Sequence, residues 1–149
     1  MTQNIMEIKF SAVSQNQAFA RVVAAAFTAQ LNPTLGELTE VKTAVSEAVT
    51  NAIIHGYDGY ENCEDKQDDC HWVYLRCQIA NNEVLIEIED KGRGIDDIAA
   101  AREPLYTTKP DEERSGMGFT VMEEFMDEVI VQSVPGEGTI VKMRKKIAE

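Results

Sequence analysis

Apolar and polar positions alternate between two periods along this chain. From Ile5 to Val13 the run has the length and composition of an opening strand, with Ile8 and Phe10 two apart on one face. Ser14 followed by Gln17 has the form of a capping box and predicts a helix start. Phe19, Val22, Val23, Ala26, Phe27 and Leu31 then recur at three- and four-residue intervals, a single apolar stripe that Asn32-Pro33 brings to an end. Arg21 falls off that stripe and is expected on the wet face. Thr34 and Glu37 form a second capping box. Leu38, Val41, Ala44, Val45, Ala48 and Ala52 predict a helix reaching about His55, stopped by Gly56.

The period then drops to two. His71 to Ile79 and Glu83 to Glu89 read as strands joined at Ala80-Asn81-Asn82, where asparagines tolerate the left-handed backbone of a tight hairpin. Asp96 or Asp97 can cap a short helix through Arg102. A helix from about Gly118 to Met126 with Phe119, Met122, Phe125 and Met126 inward follows, then strands Glu128 to Val134 and Thr139 to Lys145 around Pro135-Gly136-Glu137-Gly138. This order predicts an α+β two-layer sandwich, with helices on one face of a mixed, mostly antiparallel sheet, over one domain spanning residues 1–149. Two stretches stay outside it. Asp58 to Cys70 is polar and acidic and reads as a surface loop, and Glu103 to Ser115, without periodicity and with two prolines, reads as a loop that covers something.

Composition narrows the function classes. The 149 residues are 44% hydrophobic with a net charge of -12. That sign opposes the phosphate contacts behind nucleic-acid binding, so no direct nucleic-acid partner is expected. No window approaches a membrane span, and the opening MTQNIMEIKF has no basic stretch followed by an apolar run, so a cytoplasmic location is expected. Cys63, Cys70 and Cys77 lack metal or redox pairing and read as reduced thiols, Cys77 packed in a strand.

Three clusters carry possible chemistry. Glu47, Asn51 and His55 stand at i, i+4 and i+8, along one helix side distinct from the apolar stripe. A carboxylate there can take a proton, and an amide oxygen suits a magnesium ion that already holds phosphate oxygens; a merely solvated helix face would look the same. In Asp90-Lys91-Gly92-Arg93-Gly94 the glycines sit where the chain leaves a strand, and Asp90 can accept from an exocyclic amine such as that of adenine, though a plain turn uses the same residues. Gly116 and Gly118 at a helix start expose backbone N–H groups to an anion, with Lys109 and Arg114 adding positive charge near a terminal phosphate; ordinary capping by Ser115 is the alternative.

Taken in order, EAVTNAIIHG, EDKGRGI, the TTKP segment, ERSGMGF and GEGTIV resemble the N box, the glycine boxes, the lid and the last ATP-contact strand of the GHKL ATPases. The likeness runs on through FSAVSQNQAFARVVAAAFTAQLNPTLGELTEVKTAVSEAVTNAIIHGY to the sporulation anti-sigma factors, which are protein serine kinases. It implies a Bergerat fold holding Mg-ATP. It implies too a homodimer that sequesters a forespore sigma factor and phosphorylates a serine of an anti-anti-sigma partner. By motif position, Glu47 becomes the general base, Asn51 the magnesium ligand, Asp90 the adenine anchor and Arg114 the γ-phosphate contact. Gly92, Gly94, Gly116 and Gly118 shape the pocket, Thr139 supports the adenine site, Thr108 and Lys109 belong to a lid over Glu103–Arg114, and Arg21 becomes a contact for both partners. A histidine-kinase catalytic domain and an ATP-regulated binding module without kinase activity are the alternatives. Only His55 and His71 could serve the first, and neither lies on a phosphoacceptor hairpin; the presence of Glu47 weighs against the second.

Overall fold

A computed structural model describes residues 3–57, 71–95, 98–102 and 118–148. Five strands, β1 (Asn4–Ser11), β2 (Trp72–Ala80), β3 (Glu83–Asp90), β4 (Glu128–Val134) and β5 (Gly138–Lys146), form one sheet in the order β1-β2-β3-β5-β4. All four pairings are antiparallel. Asn81 and Asn82 take φ of 52° and 61°, so the β2–β3 hairpin turns through two left-handed residues as its sequence requires.

Alternation decides which face is covered. Val73, Leu75, Cys77 and Ile79 of β2, Val84, Ile86 and Ile88 of β3, and Val141 and Met143 of β5 are buried. They share one core with α1 (Gln15–Thr28), α2 (Leu35–Asn51) and α4 (Gly118–Phe125). A short α3 (Ile98–Ala101) precedes α4. Burial pushes the Cys77 thiol up to about 12, leaving it an inert packing group. On the other face Arg76 joins three strands, at 2.6 Å from Glu7 on β1 and 2.5 Å and 3.5 Å from Glu89 and Glu87 on β3.

The two capping boxes differ. At Thr34 both arms are made: Glu37 N–H donates to Thr34 Oγ1 at 3.0 Å, and Thr34 N–H donates to Glu37 Oε1 at 2.9 Å. Glu37 also accepts from the Ala148 N–H at 2.9 Å, which holds its carboxyl below the usual range. Ser14 is instead in the helical region with no side-chain cap, and Gln17 turns its amide to the Ser46 carbonyl and the Thr50 hydroxyl. The expected box is absent because Gln17 serves as a tie between α1 and α2.

The expected α1 stripe is also rotated. Ala20, Ala24, Phe27 and Leu31 are buried, whereas Phe19 and Val22 are 51% and 61% exposed and Ala26 is exposed as well. Alanines at the inner positions let α1 lie close to α2, and Phe19 reaches only the edge of the core, edge-to-face with Phe10 at 6.3 Å. Arg21 is exposed, as expected. The 3-10 turn Ala29–Leu31 after α1 ends at Asn32 with φ 53°, the predicted stop.

Replacing Thr34 by Ala should cost about 1 kcal/mol, whereas Ser14→Ala should stay within about 0.5 kcal/mol, read from urea midpoints at unchanged slope. Equal losses would mean that Ser14 caps α1 after all.

Candidate functional site

The second helix carries the first group of residues in a form that the periodicity did not predict. Regular α-helix ends at Asn51, and Ala52–Gly56 make a widened π-helical turn. Glu47 and Asn51 therefore remain on one line, while His55 lies in the altered turn. The widened turn brings the Gly56 carbonyl to the Arg93 N–H, 2.9 Å away.

Glu47 and Asn51, both half-buried, converge on the start of α4. A Cβ added at Gly118 would stand 3.1 Å from Asn51 Nδ2, 3.3 Å from Asn51 Oδ1 and 3.4 Å from Glu47 Oε2. The missing side chain thus leaves a carboxylate and an amide side by side against the N-terminus of a helix, where backbone N–H groups favour negative charge.

At the end of β3 Asp90 is only 5% exposed. Its Oδ1 accepts from the Gly92 N–H at 2.9 Å, and the Thr139 backbone donates to it as well. Desolvation outweighs both bonds and raises the carboxyl to about 6. Asp90 pairs with Thr139 across the β3–β5 ladder. Thr139 is buried, its hydroxyl 2.9 Å from that of Ser133, which also accepts from the Ile95 N–H at 2.7 Å.

Close backbone approach explains the glycines. A Cβ at Gly92 would lie 1.9 Å from the Gly56 carbonyl oxygen, and one at Gly138, where φ is 125°, would lie 2.1 Å from the Asp90 carbonyl oxygen. Gly94, with φ of 76°, passes the Val134 carbonyl less tightly, a Cβ there lying 2.5 Å from its oxygen. The segment after Asp90 is thereby pinned between the π turn and the β4–β5 turn, whose Gly136 N–H donates to the Arg93 carbonyl at 2.6 Å.

Of the residues singled out from sequence, Glu47, Asn51 and Gly118 thus form one cluster, and Asp90, Gly92, Gly94 and Thr139 a second. Thr108, Lys109, Arg114 and Gly116 lie outside the described residues, as do the Asp58–Cys70 loop, the Glu103–Arg114 lid, Asp96, Asp97, Cys63 and Cys70. Sequence reasoning quoted Gly56 and Gly138 only within the EAVTNAIIHG and GEGTIV motifs and gave them no role in the site, and it missed Tyr57 and Ser133. For Tyr57 the available signal was an aromatic placed directly after the glycine that ends a helix. Among the described residues no group of three acidic, cysteine or histidine side chains could hold a metal by itself. No described helix is long and apolar enough to cross a membrane.

Comparison with known proteins shows the family and the fold. Residues 10–145 match the family model of the histidine kinase-like ATPase domain. The chain is 54% identical over 147 residues to the anti-sigma F factor of Bacillus subtilis, covering 99% of this chain and 95% of that protein. It is 56% identical over 146 residues to the anti-sigma F factor of Clostridium botulinum strain Eklund 17B, covering 98% and 96%. A crystal structure of the RsbU and RsbW domains of a Mycobacterium tuberculosis protein superposes with a TM-score of 0.63 at 17% identity, over 97% of this chain and 32% of that one, and shares its fold. The chain belongs to the anti-sigma F factor family, an anti-sigma factor built on a histidine kinase-like, ATP-binding domain.

Proposed function

We propose that this anti-sigma factor is an ATP-dependent protein serine kinase that acts on an anti-anti-sigma partner and, in the alternative complex, holds a sporulation sigma factor inactive as a homodimer. The observation that carries the reading is the convergence of Glu47 and Asn51 on Gly118 at the start of α4. Phosphoryl transfer asks of a protein mainly position and charge, and these groups supply both.

In this reading the partner's serine Oγ attacks the γ-phosphorus, the bond from that phosphorus to the bridging oxygen breaks, and ADP leaves. Glu47 takes the proton from the attacking hydroxyl. The Asn51 amide oxygen, a neutral hard donor beside the start of α4, would hold a magnesium ion there. Magnesium, when bound, neutralises phosphate charge. Asp90 accepts from the adenine amine, with Thr139 beside it. Gly92, Gly94 and Gly118 admit the nucleotide to the backbone, and by likeness to the family motifs Gly116 is assigned to the same group and Thr108, Lys109 and Arg114 to the phosphates.

Glu47→Gln should retain ATP binding while phosphorylation of the partner falls by roughly 10² to 10⁴. Labelled ATP with purified partner reads this directly. Undiminished label on the partner serine rules out Glu47 as base, and label on the chain's own histidine would indicate a histidine kinase.

Asp90 carries a pH signature. Its folded pKa of about 6 lies above the ordinary 3.8, so the folded state keeps a proton that the unfolded chain has lost. Stability from this group is therefore full below pH 3.8 and is lost as pH rises through 6. Asp90→Asn should lack that decline in pH-dependent melts while weakening ATP binding by about 1.5 to 3 kcal/mol in calorimetry. Unchanged ATP affinity would move the adenine site elsewhere.

Exposed on α1, Arg21 is a cation on a chain of net charge -12. Arg21→Glu should weaken both the sigma and the anti-anti-sigma complexes by about 2 kcal/mol or more with ATP affinity intact. Native affinity for both partners at physiological salt would make it a surface charge only.

A further inference from the structure

The turn that closes α2 does more than end a helix. Tyr57 is buried, with its ring tilted against His71 at 4.7 Å between centroids. Its hydroxyl donates to the Trp72 carbonyl and accepts from the Lys91 N–H, each at 2.6 Å. Burial pushes the phenol far above its ordinary pKa, so it stays a donor across the working range.

Gly56, one residue earlier, grips the same segment from the other side. Its carbonyl accepts from the Arg93 N–H, and a Cβ on it would fall 2.7 Å from Asp90 Cγ and 2.8 Å and 2.9 Å from the two carboxylate oxygens. The last residue of the π-helical turn and the one that caps it thus bracket residues 90–93, Gly56 by giving the carboxyl its space and Tyr57 by fixing the backbone that follows it.

We infer that Gly56 and Tyr57 are positioning residues of the purine site, setting the place of the Asp90 carboxyl and through it the preference for adenine over guanine. The inference rests on the reading of Asp90 as the adenine acceptor. A carboxylate attracts the exocyclic amine of adenine and repels the carbonyl oxygen that guanine carries at that position, and the contrast is sharp only while the carboxylate is fixed.

The test is calorimetric titration of the full chain with Mg-ATP and Mg-GTP, with thermal melts, for Tyr57→Phe, Gly56→Ala and Asp90→Asn. Tyr57→Phe keeps the packed ring and removes both hydroxyl bonds; Gly56→Ala keeps those bonds and displaces the carboxyl. Each should weaken ATP binding about tenfold, with little loss for GTP, so that the ATP-to-GTP affinity ratio falls by a similar factor. A purely structural role would lower the melting temperature and leave that ratio unchanged, and this result, with Asp90→Asn lowering the ratio, overturns the inference alone. A ratio unchanged in Asp90→Asn as well overturns the adenine reading and the inference with it. Should Tyr57→Phe fail to fold, the ratio in Gly56→Ala decides.

Discussion

A carboxylate held almost out of water at the end of a central strand constrains everything around it. Asp90 stays buried because the Gly92 N–H and the Thr139 backbone donate to it, one from two residues along the chain and the other from across the sheet. The first needs a tight exit from β3, and the second needs β5 beside β3 in a register that sets Thr139 opposite Asp90. Strand order, hairpin turns and the exit loop meet at this one group. Its carboxyl is raised above the usual range because desolvation, with a smaller push from the Glu89 charge, outweighs those bonds.

The helical layer is organised around α2. A complete capping box fixes its start, and the same Glu37 that closes the box receives the Ala148 N–H after β5. At its far end the π turn docks on the exit loop of β3. Between these points Glu47 and Asn51 face α4, whose last turn is held by Lys145, a buried cation 2.8 Å from the Phe125 carbonyl and so at the favourable end of the helix dipole.

Much of this was legible in the sequence, for reasons that particular residues make plain. The strands announced themselves because each buries one face, and Asn81-Asn82 tolerate the left-handed backbone that a tight hairpin needs. Thr34 and Glu37 declared a cap that the fold completes. Ser14 and Gln17 have the same form, but Gln17 finds partners on another helix, and a local pattern carries no information about a competitor 29 residues away. Phe19 and Val22 misled because the inner side of α1 is set by alanines that permit close approach, and hydrophobicity alone ranks them below the larger side chains. Glu47, Asn51, Asp90 and Thr139 were recognisable as pieces. That Glu47 and Asn51 meet at Gly118, and that Gly56 and Tyr57 back Asp90, depends on contacts between distant segments.

The glycines at this junction differ in what could ever replace them. At Gly92 and Gly138 the space is taken by backbone carbonyls, of Gly56 and Asp90. No substitution removes a carbonyl, so a second mutation elsewhere has nothing to trim, and a side chain at either position would require the chain path itself to change. At Gly56 and Gly118 the neighbours are side chains, Asp90 in one case and Asn51 with Glu47 in the other. Shortening those would make room, but only by deleting the groups that the site presents. In mutational terms the first pair is isolated by geometry and Gly56 by chemistry, whereas at Gly118 a single step is open to whatever extent the ends of Asn51 and Glu47 can shift without leaving the site.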